Sequence, residues 1–316
     1  MYEDDVRIDR EALDVALVRD LIATQFPQWA GLPIRRVEPD GWDNRTFRIG
    51  DRLTARLPTG SWYALQVDKE HRWLPWLAPQ LPLAIPAPVA RGEPGSGYPW
   101  SWSIYGWLEG EPATSAPIAD REALAGSLAG FLRTLRAVEA TDGPPPGRHN
   151  FFRGAPVAVY HEETMAALDA LRGRIDVDAA AEVWQAACAS DASGPSRWLH
   201  GDVASGNLLV RDGALAAVID FGSSGVGDPA CDLVIAWTML DGDARRAFRD
   251  TIDVDPGEWR RARGWALWKA LITLVEQPDG RSADAAALRA VIATLIAEHA
   301  DAAGDPAGSD QVPHRP

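Results

Sequence analysis

The sequence has little cysteine: among 316 residues only Cys188 and Cys231 carry thiols, far apart and without metal-ligand spacing. That rules out a disulfide scaffold and a cysteine-held zinc site, and reads as two reduced thiols. No apolar run is long enough to span a bilayer, so a membrane role is set aside. The first residues, M-Y-E-D-D-V-R-I-D-R, are acidic and lack the basic-then-apolar order of a signal peptide. A cytoplasmic protein is expected. Positive charge is scarce as well: 31 basic against 45 acidic side chains give a net charge of −14. A protein that tracks a nucleic-acid backbone needs the opposite balance, whereas a cationic small molecule is drawn to a negative field. There is no H-E-x-x-H, no Cys/His zinc spacing and no internal repeat, and G-S-S-G at 222–225 is not a G-x-S-x-G nucleophile elbow.

What is present is a chain longer than one core usually supports, so two lobes are expected. Residues 9–26 carry leucines at helical spacing and end before Pro27. T-F-R-I (46–49) and R-L-T-A-R-L (52–57) flank Gly50-Asp51 and predict a hairpin. Residues 61–74 read as a helix with Ser61 as its cap, and strands are expected near 87–91 and 100–107. After Gly110-Glu111-Pro112 the chain turns helical, with helices expected at 120–140, 158–172, 178–190 and 282–299. Another begins at D-P-G-E, with Asp255 as cap, Pro256 in the first turn and Glu258 three residues after the cap. The outline is α+β: a β-rich N-terminal lobe (1–105), a hinge (106–115), a larger helical lobe (116–300) and a disordered tail (301–316). Trp73, Trp76, Trp265 and Trp268 stand at helical spacings and read as core.

One stretch carries chemistry. W-L-H-G-D-V-A-S-G-N (198–207) is followed by two apolar strands, 208–211 and 214–219, about the turn Asp212-Gly213, and then by D-F-G at 220–222. Folding the hairpin sets Arg211 near Ala214, Leu209 near Ala216 and Asn207 near Val218. Asp220 then falls beside Asn207 and the loop that bears Asp202. An Asn carbonyl and an Asp carboxylate are hard oxygen ligands suited to Mg²⁺, and a second Asp can accept a hydroxyl proton during phosphoryl transfer. H-x-D-x₄-N, an Asp-Gly hairpin and D-F-G in this order match a kinase catalytic loop and metal-binding element.

The segment H-G-D-V-A-S-G-N-L-L-V…V-I-D-F-G-S-S-G-V-G-D-P-A-C-D-L resembles the aminoglycoside phosphotransferase family, whose members phosphorylate antibiotics and other small molecules. The resemblance covers about residues 30–300 and implies a bilobal protein-kinase-like fold. It makes Asp202 the catalytic base and Asn207 and Asp220 the Mg²⁺ ligands. His200 is scaffold, and Asp228 and Asp232 are supporting or helix-capping groups. In the first lobe, G-W-D-N-R-T-F-R-I (41–49) covers the phosphates with amides near Asp43 and Asn44, although it keeps only Gly41 of the usual glycines. Arg56 stands where protein kinases carry lysine, with Glu70 as its partner. The backbone of Gly106–Leu108 is the hinge for adenine. The implied activity is transfer from ATP, or alternatively GTP, with Mg²⁺ to a small-molecule hydroxyl, an aminoglycoside first. The protein is then a monomer or homodimer with no nucleic-acid or membrane partner. The alternatives are a macrolide, peptide-antibiotic or metabolite kinase, a protein kinase (disfavoured because A-P-E is missing), and a nucleotide-binding pseudokinase. Glu162 and Glu163 read as a solvated helix face.

Overall fold

The computed structural model describes residues 5–38, 41, 43–192, 194–277 and 282–304. The chain begins with a short 3-10 turn (Arg10–Ala12) and helix α1 (Val15–Gln25), which Asp14 caps by accepting from the Leu17 amide. Strands β1 (Ile34–Arg36), β2 (Asn44–Ile49) and β3 (Leu53–Pro58) follow, then helix α2 (Ser61–Leu77) and strands β4 (Pro88–Gly92) and β5 (Trp102–Gly106). They form an antiparallel sheet in the order β1-β2-β3-β5-β4.

Strand alternation divides this sheet into two faces with different duties. Phe47, Ile49, Ala55, Leu57, Trp102 and Ile104 are buried in one core with Val18, Leu21 and Ile22 of α1. The intervening residues Arg56, Ser103 and Tyr105 face the other way, toward α2, because Arg56 pairs with Ser103 in register and its neighbours Ala55 and Leu57 are committed to the core. The sheet thus aims its one cation on β3 at α2, where Arg56 meets Glu70.

The α2 cap differs from expectation. Gly60 is the cap residue, Ser61 is already helical, and Asp5 accepts from the Trp62 amide. The Ser61 hydroxyl bonds Asp5 at 3.0 Å instead. A carboxylate supplied by chain 56 residues away takes the position that a local serine was expected to fill.

After β6 (Glu111–Pro112) come α3 (Arg121–Ala137), α4 (His161–Ala170), α5 (Val177–Cys188) and β7 (Arg197–Leu199). The hairpin β8 (Leu208–Arg211) and β9 (Ala214–Val218), β10 (Gly225–Gly227), and helices α6 (Ile235–Thr238), α7 (Gly242–Ile252), α8 (Pro256–Val275) and α9 (Ala283–Gly304) complete the described chain. Their apolar faces form the larger core, which also takes in Leu74 and Leu77 of α2 and Tyr105 of β5. Trp265 and Trp268 are buried, whereas Trp76 is exposed. Asp255 accepts from the Glu258 amide at 2.9 Å, so α8 starts as its D-P-G-E signature dictates. Helix α7 was not expected. Its sequence, G-D-A-R-R-A-F-R-D-T-I, is charged on all but one side, and only Ala244, Phe248 and Ile252 at helical spacing are buried. Helix α9 runs to Gly304, beyond the expected end at 299 and into the segment expected to be disordered; the rest of that tail, 305–316, lies outside the described residues. No described helix is long and apolar enough to cross a membrane.

Candidate active site

The candidate catalytic-loop residues sit at the junction of β7, the β8–β9 hairpin and the segment after β9. The hairpin register is Arg211 opposite Ala214 but Leu209 opposite Ala217 and Leu208 opposite Val218. A bulge between Leu209 and Val210 advances the pairing by one residue relative to a regular hairpin. Asn207 therefore meets Ile219, whose amide donates to the Asn207 carbonyl at 2.9 Å, and Asp220 follows at once.

His200 is fully buried and holds the loop rather than serving it chemically. Its Nδ1 accepts from the Asp202 amide at 3.2 Å, which leaves the proton on Nε2 to donate to the Ile219 carbonyl at 3.0 Å. Its ring meets Phe221 edge-on, with centroids 4.6 Å apart. Beneath it, the buried Asp232 accepts from the amides of His200 (2.9 Å) and Gly201 (2.7 Å). Gly201 has φ +86°, and a Cβ there would lie 2.2 Å from the Ser223 carbonyl, so only glycine fits. Asp228 caps the turn at Pro229–Val234 and pairs with Arg261 at 2.7 Å. Both aspartates thus act on backbone amides, and Asp228 also on a neighbouring cation.

Asp202 has both carboxylate oxygens engaged. Oδ1 lies 2.7 Å from Lys269 Nζ, and Oδ2 accepts from Asn207 Nδ2 at 3.3 Å, which also donates to the Asp202 carbonyl at 2.9 Å. Burial alone would raise the Asp202 pKa, but the Lys269 ammonium, helped by the Arg153 charge, outweighs it and holds the carboxyl below its usual range. Since the Asn207 amide nitrogen is committed to Asp202, its side-chain oxygen is the atom it could offer to a ligand. Asp220 has φ +68°, a left-handed conformation uncommon outside glycine, and such strain is maintained only where the surroundings impose it. Its Oδ1 lies 2.6 Å from Arg56, whose other terminal nitrogen lies 3.8 Å from Glu70. Tyr105 donates its hydroxyl to Glu70. Burial would lower the Arg56 pKa, but Asp220 and Glu70 more than offset this, and the guanidinium is fixed in its charged form.

The structure therefore brings together Asp202, Asn207, Asp220, Arg56 and Glu70. Asn44, buried at the start of β2, enters none of these pairs; its neighbour Arg45 turns to the other face and bonds Arg10 and Glu11. The Gly106 amide donates to the Ala87 carbonyl (3.0 Å) and the Trp107 amide to the Arg52 carbonyl (2.8 Å), so these two donors of the stretch are spent within the sheet.

Four residues at the site escaped sequence reasoning. Lys69, buried on α2, donates to the carbonyls of Gly222 (2.6 Å) and Ser224 (2.9 Å) and so ties α2 to the D-F-G turn. Lys269 reaches Asp202 from α8. Arg153 donates to the Gly201 carbonyl at 3.1 Å and to the Tyr160 hydroxyl at 3.0 Å, with its guanidinium 4.7 Å from the Trp268 ring. Asp43 adds a fourth carboxyl: burial, reinforced by the charge of Asp220, pushes it up to about 7. No local pattern announces the three cations, each more than 45 residues from its partner on the catalytic segment. For Asp43 the signal was its position in the loop, which was read for its amides alone.

For a divalent cation, Asn207 and Asp220 offer hard oxygen donors side by side. Among the described residues no three His, Cys, Asp or Glu side chains form a group that could hold a metal unaided. The donor set fits an ion whose remaining ligands are nucleotide phosphates and water, as Mg²⁺ prefers.

The family model described as the phosphotransferase enzyme family matches residues 34–265. No curated protein sequence matches the chain. Among solved structures, the chain is similar to the GDP complex of aminoglycoside 2'-phosphotransferase-IIIa, at 20% identity and TM-score 0.63, over 89% of this chain and 98% of that one. It is also similar to macrolide 2'-phosphotransferase MphH from Brachybacterium faecium, at 22% identity and TM-score 0.56, over 88% and 97%. A third similar structure is the streptomycin–ATP complex of APH(2")-IIa, at 16% identity and TM-score 0.57, over 94% and 97%. At these identities the structural likeness speaks for the shared α+β bilobal fold.

Proposed function

The chain belongs to the phosphotransferase enzyme family, and on that premise we propose that it transfers the γ-phosphoryl group of ATP, with GTP as the alternative donor, to a hydroxyl of a small molecule. The observation that carries this reading is the convergence of Asp202, Asn207 and Asp220 with the Arg56–Glu70 pair across one cleft.

Each residue has a task. Asp202 orients the acceptor hydroxyl and takes its proton as the new O–P bond forms and the bond to the ADP oxygen breaks. Arg56, charged and aimed into the cleft, contacts the nucleotide phosphates with a fork that lysine would not offer. Glu70 and Tyr105 fix the Arg56 approach. Asn207 and Asp220 would hold Mg²⁺, which when bound neutralises charge on the phosphates. With the Gly106 and Trp107 amides spent in the sheet, Leu108 is the donor of the hinge that we assign to adenine. Asn44 borders the phosphate-covering loop.

The first acceptor to test is an aminoglycoside, in keeping with the family resemblance and the acidic chain. One observation favours a second reading, an uncharged acceptor such as a macrolide. Beside Asp202 stand the cations Lys269 and Arg153 and the rings of Trp265 and Trp268, and Asp202 is itself already paired, so its immediate surroundings do not favour a cationic acceptor. The deciding experiment is an ATP-consumption screen across aminoglycosides, macrolides, peptide antibiotics and sugar alcohols. Stoichiometric transfer to one class identifies the acceptor; turnover restricted to uncharged compounds removes aminoglycosides, and absence of transfer to every class contradicts the reading.

A further inference from the structure

Lys269 lies outside the family match, which ends at residue 265, and the role assigned to it below rests on the phosphotransferase reading. Lysine occurs only twice in this chain of 31 basic side chains, at 69 and 269. Both are on the catalytic segments: Lys69 on the carbonyls of the D-F-G turn, Lys269 on the Asp202 carboxylate. Everywhere else the chain uses arginine.

Between Asp202 and Asn207 the loop reads V-A-S-G and has no cation of its own. Lys269 supplies one from α8, 67 residues later, at 2.7 Å from Oδ1. Asn207 holds Oδ2, so the carboxylate is gripped at both oxygens. Arg56 cannot serve here, because Asp220 and Glu70 keep it on the nucleotide side. Arg153 lines a cavity of about 10 Å³ beside Asp202 but is spent on the Gly201 carbonyl, the Tyr160 hydroxyl and the Trp268 ring. On α8, Trp265, Trp268 and Lys269 share one face, and the two buried rings anchor the turn from which Lys269 extends.

A phosphoryl group in transfer spreads negative charge over its equatorial oxygens, and it approaches a carboxylate. A cation beside that carboxylate offsets the repulsion. An ammonium suits the task because it is a compact charge with rotatable donors, able to keep one on Asp202 while turning another toward a phosphoryl oxygen. We propose that Lys269 is a positioning residue of phosphoryl transfer, fixing Asp202 from outside the catalytic loop and supplying the cation that the loop lacks. The plainer role, an ion pair that merely stabilises the fold, is weak here because both side chains are more than a third exposed.

The test uses ATP with Mg²⁺ and water as the acceptor, which requires no identified alcohol. Hydrolysis rate and KM for ATP are measured in the wild type, Lys269→Met, Lys269→Arg, Asp202→Asn and the double variant Lys269→Met/Asp202→Asn. Lys269→Met is expected to lower kcat roughly 10- to 100-fold with KM for ATP little changed, and Lys269→Arg to recover part of the loss. In the Asp202→Asn background the same Lys269→Met change is expected to cost less than about twofold, since residues acting as a unit are non-additive. Equal losses in both backgrounds, or a loss confined to KM, would overturn the proposal. A wild type that neither binds nor hydrolyses ATP or GTP contradicts the phosphotransferase reading itself, and this inference falls with it.

Discussion

The proposed nucleotide side and the proposed acceptor side of the site are built on different terms. On the nucleotide side Arg56, Glu70 and Tyr105 form a closed and largely buried set with Asp220, and Lys69 is buried against the D-F-G carbonyls. On the acceptor side Asp202 and Lys269 form a single pair, each more than a third exposed. Buried charges leave a costly orphan when a partner is removed, while exposed ones are covered by water. The nucleotide side should therefore couple binding to stability, and the acceptor side should separate chemistry from stability.

The strongest way to break that contrast is Asp220→Ala. Loss of a candidate Mg²⁺ ligand together with the Arg56 partner is expected to weaken Mg²⁺-dependent ATP binding by about 100-fold or more; titration of a fluorescent ATP analogue with and without Mg²⁺ checks it. Arg56→Ala comes next. It leaves Glu70 buried with only Tyr105, and is expected to cost about 3 kcal/mol in urea denaturation as well as raising KM for ATP. A pH effect on stability follows from Asp43. Its folded value, about 7, lies above the unfolded value near 3.8. The folded protein thus retains a proton that the unfolded chain releases, so this contribution is full below about 4 and is lost as pH rises through 7. Relative to Asp43→Asn, the wild type measured without nucleotide or metal should be less stable at pH 8 than at pH 5. The smallest effect belongs to the acceptor side: Lys269→Met should change unfolding free energy by no more than about 1 kcal/mol.

The same contrast explains what was legible in the sequence. Asp202, Asn207 and Asp220 could be read because the Asp212-Gly213 turn relates them within a short stretch of chain, and the error of one residue in register came from a bulge that no turn rule encodes. Arg56 and Glu70 were legible only through the family pattern, with strand alternation supplying the direction afterwards. Lys269, Arg153 and the amide-binding role of Asp232 depend on helices and loops packed across the second lobe, and such contacts leave no periodicity. The α2 cap failed for a similar reason: Asp5 and Ser61 are 56 residues apart, so local cap chemistry pointed to the wrong side chain. Helix α7 was hidden by its charge, since three buried side chains in eleven residues make a narrow apolar stripe.

Asp202 is the group proposed to take the acceptor proton, while the proposed nucleotide side stands without it. The most direct measurement is turnover and ATP affinity of Asp202→Ala side by side, with the acceptor found by the screen or with water. The account predicts a fall in kcat of roughly 10²–10⁴ at unchanged affinity for ATP with Mg²⁺. Unchanged turnover in Asp202→Ala would contradict it.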